Sequence, residues 1–202
     1  MEPDKLQSLR PAGLVLAASA LIAVVLMHHH PHGGDGAELI RAVHGGLLAV
    51  IILQPAIMAL VARALGWPLP AALGLAFFAL GTCGTLIAGT INGFVVPAIW
   101  TYPEGEIGPG VTQLAWEMNQ QFARNGAVAV GTGIALFGIA LWRAGWRVIG
   151  GLGMLAGAIP ASLLLAGVTD MRFYGAMLTY IAQLTWLVVF GIALWREGGR
   201  AA

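Results

Sequence analysis

The side chains able to do chemistry in this 202-residue chain are gathered into three short connections. All five histidines (His28, His29, His30, His32, His44) and six of the nine carboxylates (Asp35, Glu38, Glu104, Glu106, Glu117, Asp170) lie in or beside them. If those connections share one side of a membrane, that side is the working face of the protein.

Two kinds of chemistry can be drawn from these residues. The run His28-His29-His30-Pro31-His32 offers several neutral imidazoles of the kind that hold copper or zinc, with Asp35 and Glu38 able to complete a shell. His44 could take a metal from that run or relay protons. Adjacent histidines beside Gly33-Gly34 impose no single geometry, so a solvated loop with incidental metal affinity accounts for the run equally. His44, followed by Gly45-Gly46, could likewise be hydrogen-bonded to a neighbouring helix.

The second kind is solute binding. Glu117, Gln120, Gln121 and Arg124 form a polar stripe, because seven residues advance a helix by nearly whole turns and leave Glu117 and Arg124 only ~20° apart. Such a stripe needs water, headgroups or a polar cavity beside it. As a site wall, Arg124 would bind an anionic group and Glu117 would act as base or cation ligand; otherwise it is an interfacial section lying among headgroups. Asn92, within Gly89-Thr90-Ile91-Asn92-Gly93, is an amide inside an apolar segment and requires a partner, while its flanking glycines make a packing face. Asp170 and Arg172 could pair in an outer turn. The candidate solute site is therefore His44, Asn92, Glu117, Gln121, Arg124 and Asp170, and Glu117→Gln or Arg124→Ala is expected to abolish binding.

The elements that must position these residues follow from composition. Hydrophobic residues are 58% of the chain and charged residues 9%. A soluble domain carries roughly a quarter charged residues, so bilayer is the expected solvent and partner. At about 20 apolar residues per span, the chain is expected to be all-α, a single integral membrane domain over 1–202. Its six transmembrane helices are read at about 11–27, 38–65, 70–100, 112–143, 147–168 and 173–195. The first run, preceded by Lys5 and Arg10, is read as a retained helix rather than a signal peptide, since it ends in histidines and not in a small-residue cleavage site. Pro55 should kink the second helix and Pro160 the fifth, opening space between helices, and the third should bend near Pro97.

Loop charge predicts orientation. With both termini cytoplasmic, Lys5, Arg10, Arg63, Arg143, Arg147, Arg196 and Arg200 lie inside, against Arg41, Arg124 and Arg172 outside. Trp67, Trp142, Trp146 and Trp195 then fall at the inner interface, as amphipathic rings do. A weak repeat relates helices two and three to helices four and five: Arg63-Ala64-Leu65-Gly66-Trp67 is echoed by Arg143-Ala144-Gly145-Trp146. Chance similarity among Ala-, Leu- and Gly-rich helices would look the same.

Several classes are disfavoured. Cys83 is the only cysteine, which excludes an intrachain disulfide or a C-x-x-C pair. Lys5, the only lysine, precedes the first span, so no retinal is expected. No P-loop, zinc-protease or lipase motif occurs, and no nucleotide cofactor is expected. A bis-histidine haem would need a second intramembrane imidazole beside His44. A net charge of +1 gives no reason to expect nucleic acid. The chain resembles small bacterial inner-membrane proteins in general appearance. The leading expectation is a non-enzymatic protein that binds or transports a small solute or ion through an outward-facing pocket. The alternatives are a copper- or zinc-handling protein, an intramembrane enzyme using Glu117 and His44, and a scaffold; glycine-rich faces could also support a homo-oligomer.

Overall fold

The computed structural model describes residues 3–30, 36–103 and 106–200; His32, Asp35 and Glu104 lie outside them. The elements are α1 (Pro3–His28), α2 (Ala37–Ile51), α3 (Gln54–Ala64), α4 (Leu69–Thr90), a π-helical turn (Ile91–Val95), α5 (Val96–Ile99), α6 (Pro109–Arg143), α7 (Arg147–Leu165) and α8 (Phe173–Arg200). No strand occurs among the described residues. Six stretches are long and apolar enough to cross a membrane: Gln7–His28, Ala37–Ala64, Leu69–Ile99, Gly110–Arg143, Arg147–Leu165 and Phe173–Gly199. Large apolar side chains such as Leu14, Leu80, Leu155 and Leu178 point outward, as contact with lipid requires.

The second and third spans are interrupted beside their prolines. The second span breaks at Ile52-Leu53, and Pro55 sits in the first turn of α3, where its missing N–H is no loss. The third span departs from regular helix at the wide turn Ile91–Val95, just before Pro97. Pro160, by contrast, lies inside α7 without ending it.

Glycines decide which helices touch. The most extensive interfaces are α4 with α6, α1 with α8 and α6 with α7. In each, glycines of the two helices face one another. A Cβ added at Gly74 would lie 3.0 Å from the Gly133 carbonyl oxygen, and one at Gly133 would lie 2.7 Å from that of Gly74. Gly81 and Gly126 oppose one another in the same seam, Gly138 and Gly150, and Gly131 and Gly157, in the next, and Gly13 and Gly191 between α1 and α8. Gly74 and Gly81, Gly126 and Gly133, Gly131 and Gly138, and Gly150 and Gly157 all repeat at a heptad spacing, which keeps each pair on one face. The two stripes of α6 are offset by ~140° around its axis, so α6 lies between α4 and α7.

The second span is held differently. Gly89 and Gly93 face α2, but they meet side chains, Leu48 and His44, and Gly46 meets Leu26. The turns after Ala64 and Arg143 do resemble one another. Gly66 and Gly145 both have positive φ (81° and 93°), and Trp67 N donates to the Ala62 oxygen as Trp146 N does to that of Leu141, each at 2.9 Å. This is a common way for glycine to end a helix, so it carries no repeat by itself.

Candidate functional site

The four packed elements α2–α3, α4, α6 and α8 do not close on one another. Between them lies a cavity of about 330 Å³. Its rim holds His30, Arg172 and Phe173, and its deep end Gln54, Phe78 and Leu187. On α8 the lining residues Phe173, Ala176, Tyr180, Gln183, Leu184 and Leu187 recur at helical spacing, one face extending ~21 Å along the axis.

His44 and Asn92 meet in the half of this wall nearer the rim. The His44 Nδ1 lies 2.8 Å from the Ile40 carbonyl oxygen. A carbonyl can only accept, so Nδ1 carries the hydrogen and Nε2 is free to accept. Asn92 Nδ2 donates to it at 3.1 Å. The partner that an intramembrane amide demands is thus a histidine on the neighbouring span. Asn92 belongs to the π-helical turn, a form frequent at functional sites. Gly93 lets the turn lie directly against the His44 side chain; any Cβ there would fall 2.7 Å from its Cγ. The His30 ring meets the His44 ring edge-on, with centroids 5.0 Å apart.

Two further amides lie deeper. Gln54 and Gln183 are 3% and 2% exposed, and both line the cavity. Gln183 Nε2 donates to the Ala127 oxygen at 2.9 Å, which ties α8 to α6. Its Oε1 has no partner, and neither has Gln54 Nε2. Only one other buried side-chain atom among the described residues shares that condition, Thr169 Oγ1 in the α7–α8 connection. Tyr180 shares a hydrogen bond with Thr85, whose hydroxyl also reaches the Gly81 oxygen at 3.1 Å. Asn119 adds a buried amide from α6.

Of the residues singled out in the sequence, the structure brings His30, His44, Asn92, Gln120 and Arg172 onto the cavity. Glu117 and Gln121 are exposed and do not line the cavity. Their neighbours Trp116, Asn119, Gln120 and Ala123 do, so the cavity-facing side of α6 is one residue, ~100°, away from the Glu117–Arg124 stripe. Arg124 donates from Nη2 to the Leu164 carbonyl oxygen at 2.8 Å, capping the end of α7. Asp170 is exposed and pairs with Arg172, Nε to Oδ2 being 3.5 Å. The histidine run divides: His28 and His29 are exposed, while His30 turns to the rim. Among the described residues no group of three or more His, Cys, Asp or Glu is gathered as a metal would require.

The rule that an amide inside a span needs a partner singles out Asn92, and it applies equally to Gln54 and Gln183. Each stands within a long apolar run, and that was the available signal. Tyr180 and Asn119 carry no such mark, because tyrosine and polar residues near a helix start are common. Six apolar helices, five of which line a mostly apolar pocket, fit an integral membrane protein. Compared with protein-family models, curated proteins and solved structures, the chain matches none.

Proposed function

We propose that this is a multi-pass protein of a bacterial inner (cytoplasmic) membrane, both termini cytoplasmic, that binds or transports a small molecule through the intramembrane cavity. The observation that carries the reading is the coincidence of that cavity with two deeply buried amides, Gln54 and Gln183, each holding an unpartnered polar atom. An unmade hydrogen bond in a buried site costs roughly 1–3 kcal/mol, and polar groups within spans mark solute paths and sites. The volume sits at the small end of the ~300–1,000 Å³ typical of small-molecule pockets. Amides and hydroxyls dominate its polar lining, and these bind without moving protons. The arginine distribution supports an opening on the outer side, since His30 and Arg172 mark the rim.

Mass spectrometry of solvent extracts tests this. Wild-type protein in lipid nanodiscs should release a small compound enriched over the bulk lipid. Ala176→Trp, which places an indole in the cavity, should release none. Identical extracts from the two proteins would sink the reading.

A further inference from the structure

One of the two unpartnered atoms has a hydrogen-bonding sense fixed by its surroundings. The Gln183 amide is oriented by its bond to the Ala127 carbonyl, which can only accept; the nitrogen must point there, and the free atom is the oxygen. That oxygen calls for a donor. The free atom of Gln54 is its nitrogen, which calls for an acceptor. The last torsion of a glutamine side chain is soft, so the Gln54 amide, with its nitrogen unbonded, can turn either end to the cavity at little expense.

The rest of the lining restricts what brings that donor and acceptor. Leu47, Leu48, Ile51, Phe78, Leu184 and Leu187 make most of the deep wall apolar. No aspartate or glutamate belongs to the described lining, so an ammonium group would meet no countercharge. Arg172, the one arginine there, stands at the rim, exposed and already paired with Asp170. A full charge carried to the depth of Gln183 would lose its hydration without compensation. Both ring nitrogens of His44 are engaged, so the amides are left as the groups that select.

Resting on the reading of the cavity as a binding site, we propose that its occupant is an uncharged, mainly hydrocarbon molecule bearing a hydroxyl group. An O–H supplies both senses, a donor for Gln183 Oε1 and an acceptor for an amide N–H such as that of Gln54. A hydroxyl that makes these bonds gains what bare hydrocarbon in the same place forfeits.

A matched probe series tests the assignment: 1-naphthol, 1-methoxynaphthalene (acceptor only), naphthalene and 1-naphthoate, titrated by fluorescence into protein in nanodiscs. Specific binding is the part lost in Ala176→Trp, which removes partition into lipid from the reading. We expect 1-naphthol to bind about tenfold tighter than naphthalene, with 1-methoxynaphthalene between them, and 1-naphthoate to show no specific binding. Gln183→Met should erase the advantage of naphthol over methoxynaphthalene while leaving naphthalene unchanged. Should that variant fail to fold, Gln54→Leu tests the other half, lowering both oxygen-bearing probes toward naphthalene. If naphthoate binds best, if naphthalene equals naphthol, or if the folded glutamine variants leave the ranking intact, the hydroxylated occupant is overturned while the cavity stands as a site. If no probe shows binding sensitive to Ala176→Trp, the cavity itself is not a binding site.

Discussion

Where α6 meets α4 and α7, glycine faces glycine and backbone rests on backbone; where α2 meets α4 and its π-helical turn, leucine and histidine side chains stand between. The first arrangement has no slack, because a backbone atom cannot move aside without moving its helix. At Gly89 and Gly46 the second can adjust by changing a leucine rotamer, whereas at Gly93 it meets the His44 Cβ, which a rotamer change does not move. Five reciprocal glycine pairs therefore join the spans into two rigid groups, α4–α6–α7 and α1–α8, and the broken span α2–α3 is the compliant wall. That wall carries His44 and Gln54, two of the polar groups on the cavity. The other polar groups of the lining, among them Asn119, Tyr180 and Gln183, stand on the rigid helices, so the cavity sets one compliant wall against rigid ones.

Substitutions can break that contrast, beginning with the rigid side. Gly157→Val would drive a side chain into the Gly131 carbonyl and lie 2.7 Å from Ala135 N. Overpacking of this kind removes ~3 kcal/mol or prevents folding, and thermal unfolding of purified protein should show it. Gly89→Ala, meeting only a Leu48 methyl at 3.0 Å, should change stability by less than ~1 kcal/mol. Equal losses at the two positions would abolish the distinction between the seams.

Next in size is Asn92→Ala, which leaves the His44 Nε2 acceptor without its donor and should lower stability by about 1–2 kcal/mol. The same melting measurement checks it, and Asn92→Gln should not restore the loss, since the longer side chain no longer fits the turn. Arg124→Ala should cost ~1 kcal/mol through the lost bond to the Leu164 carbonyl, with 1-naphthol affinity unchanged. Smallest of all, Glu117→Gln should alter stability by under ~0.5 kcal/mol and leave probe binding as it was. Loss of binding in either of the last two variants would move the site from the cavity to the outer stripe of α6.

The contrast also explains what the sequence could disclose. Long apolar runs bounded by arginine, tryptophan and glycine delimit six spans, and Pro55 and Pro97 announce the interruptions beside them. The heptad glycines of α4, α6 and α7 carry the helix order and antiparallel register, legible once residues 74, 81, 126, 133, 150 and 157 are set side by side. Polarity alone could not choose the cavity-facing side of α6, because Asn119 and Gln120 are as polar as Glu117 and Gln121, and a rotation of ~100° separates them. Asn92 was legible as an amide needing a partner, but not that the partner would be His44, some 48 positions distant. That pairing depends on a widened helical turn, which no local propensity foretells.

The turn at Ile91–Val95 also bears on how this chain tolerates change. A π-helical turn amounts to one surplus residue lodged in a helix. Deleting one residue there should let the backbone close into ordinary α-helix while the glycine seams, which lie earlier in α4, stay in register. Because the surplus residue is taken up within that turn, Val96–Ile99 and the following loop would keep their facing, and only the bulge itself would go. The bundle could persist through such a deletion while the meeting of Asn92 with His44 would not, so in this stretch chain length, more than residue identity, is the inherited quantity.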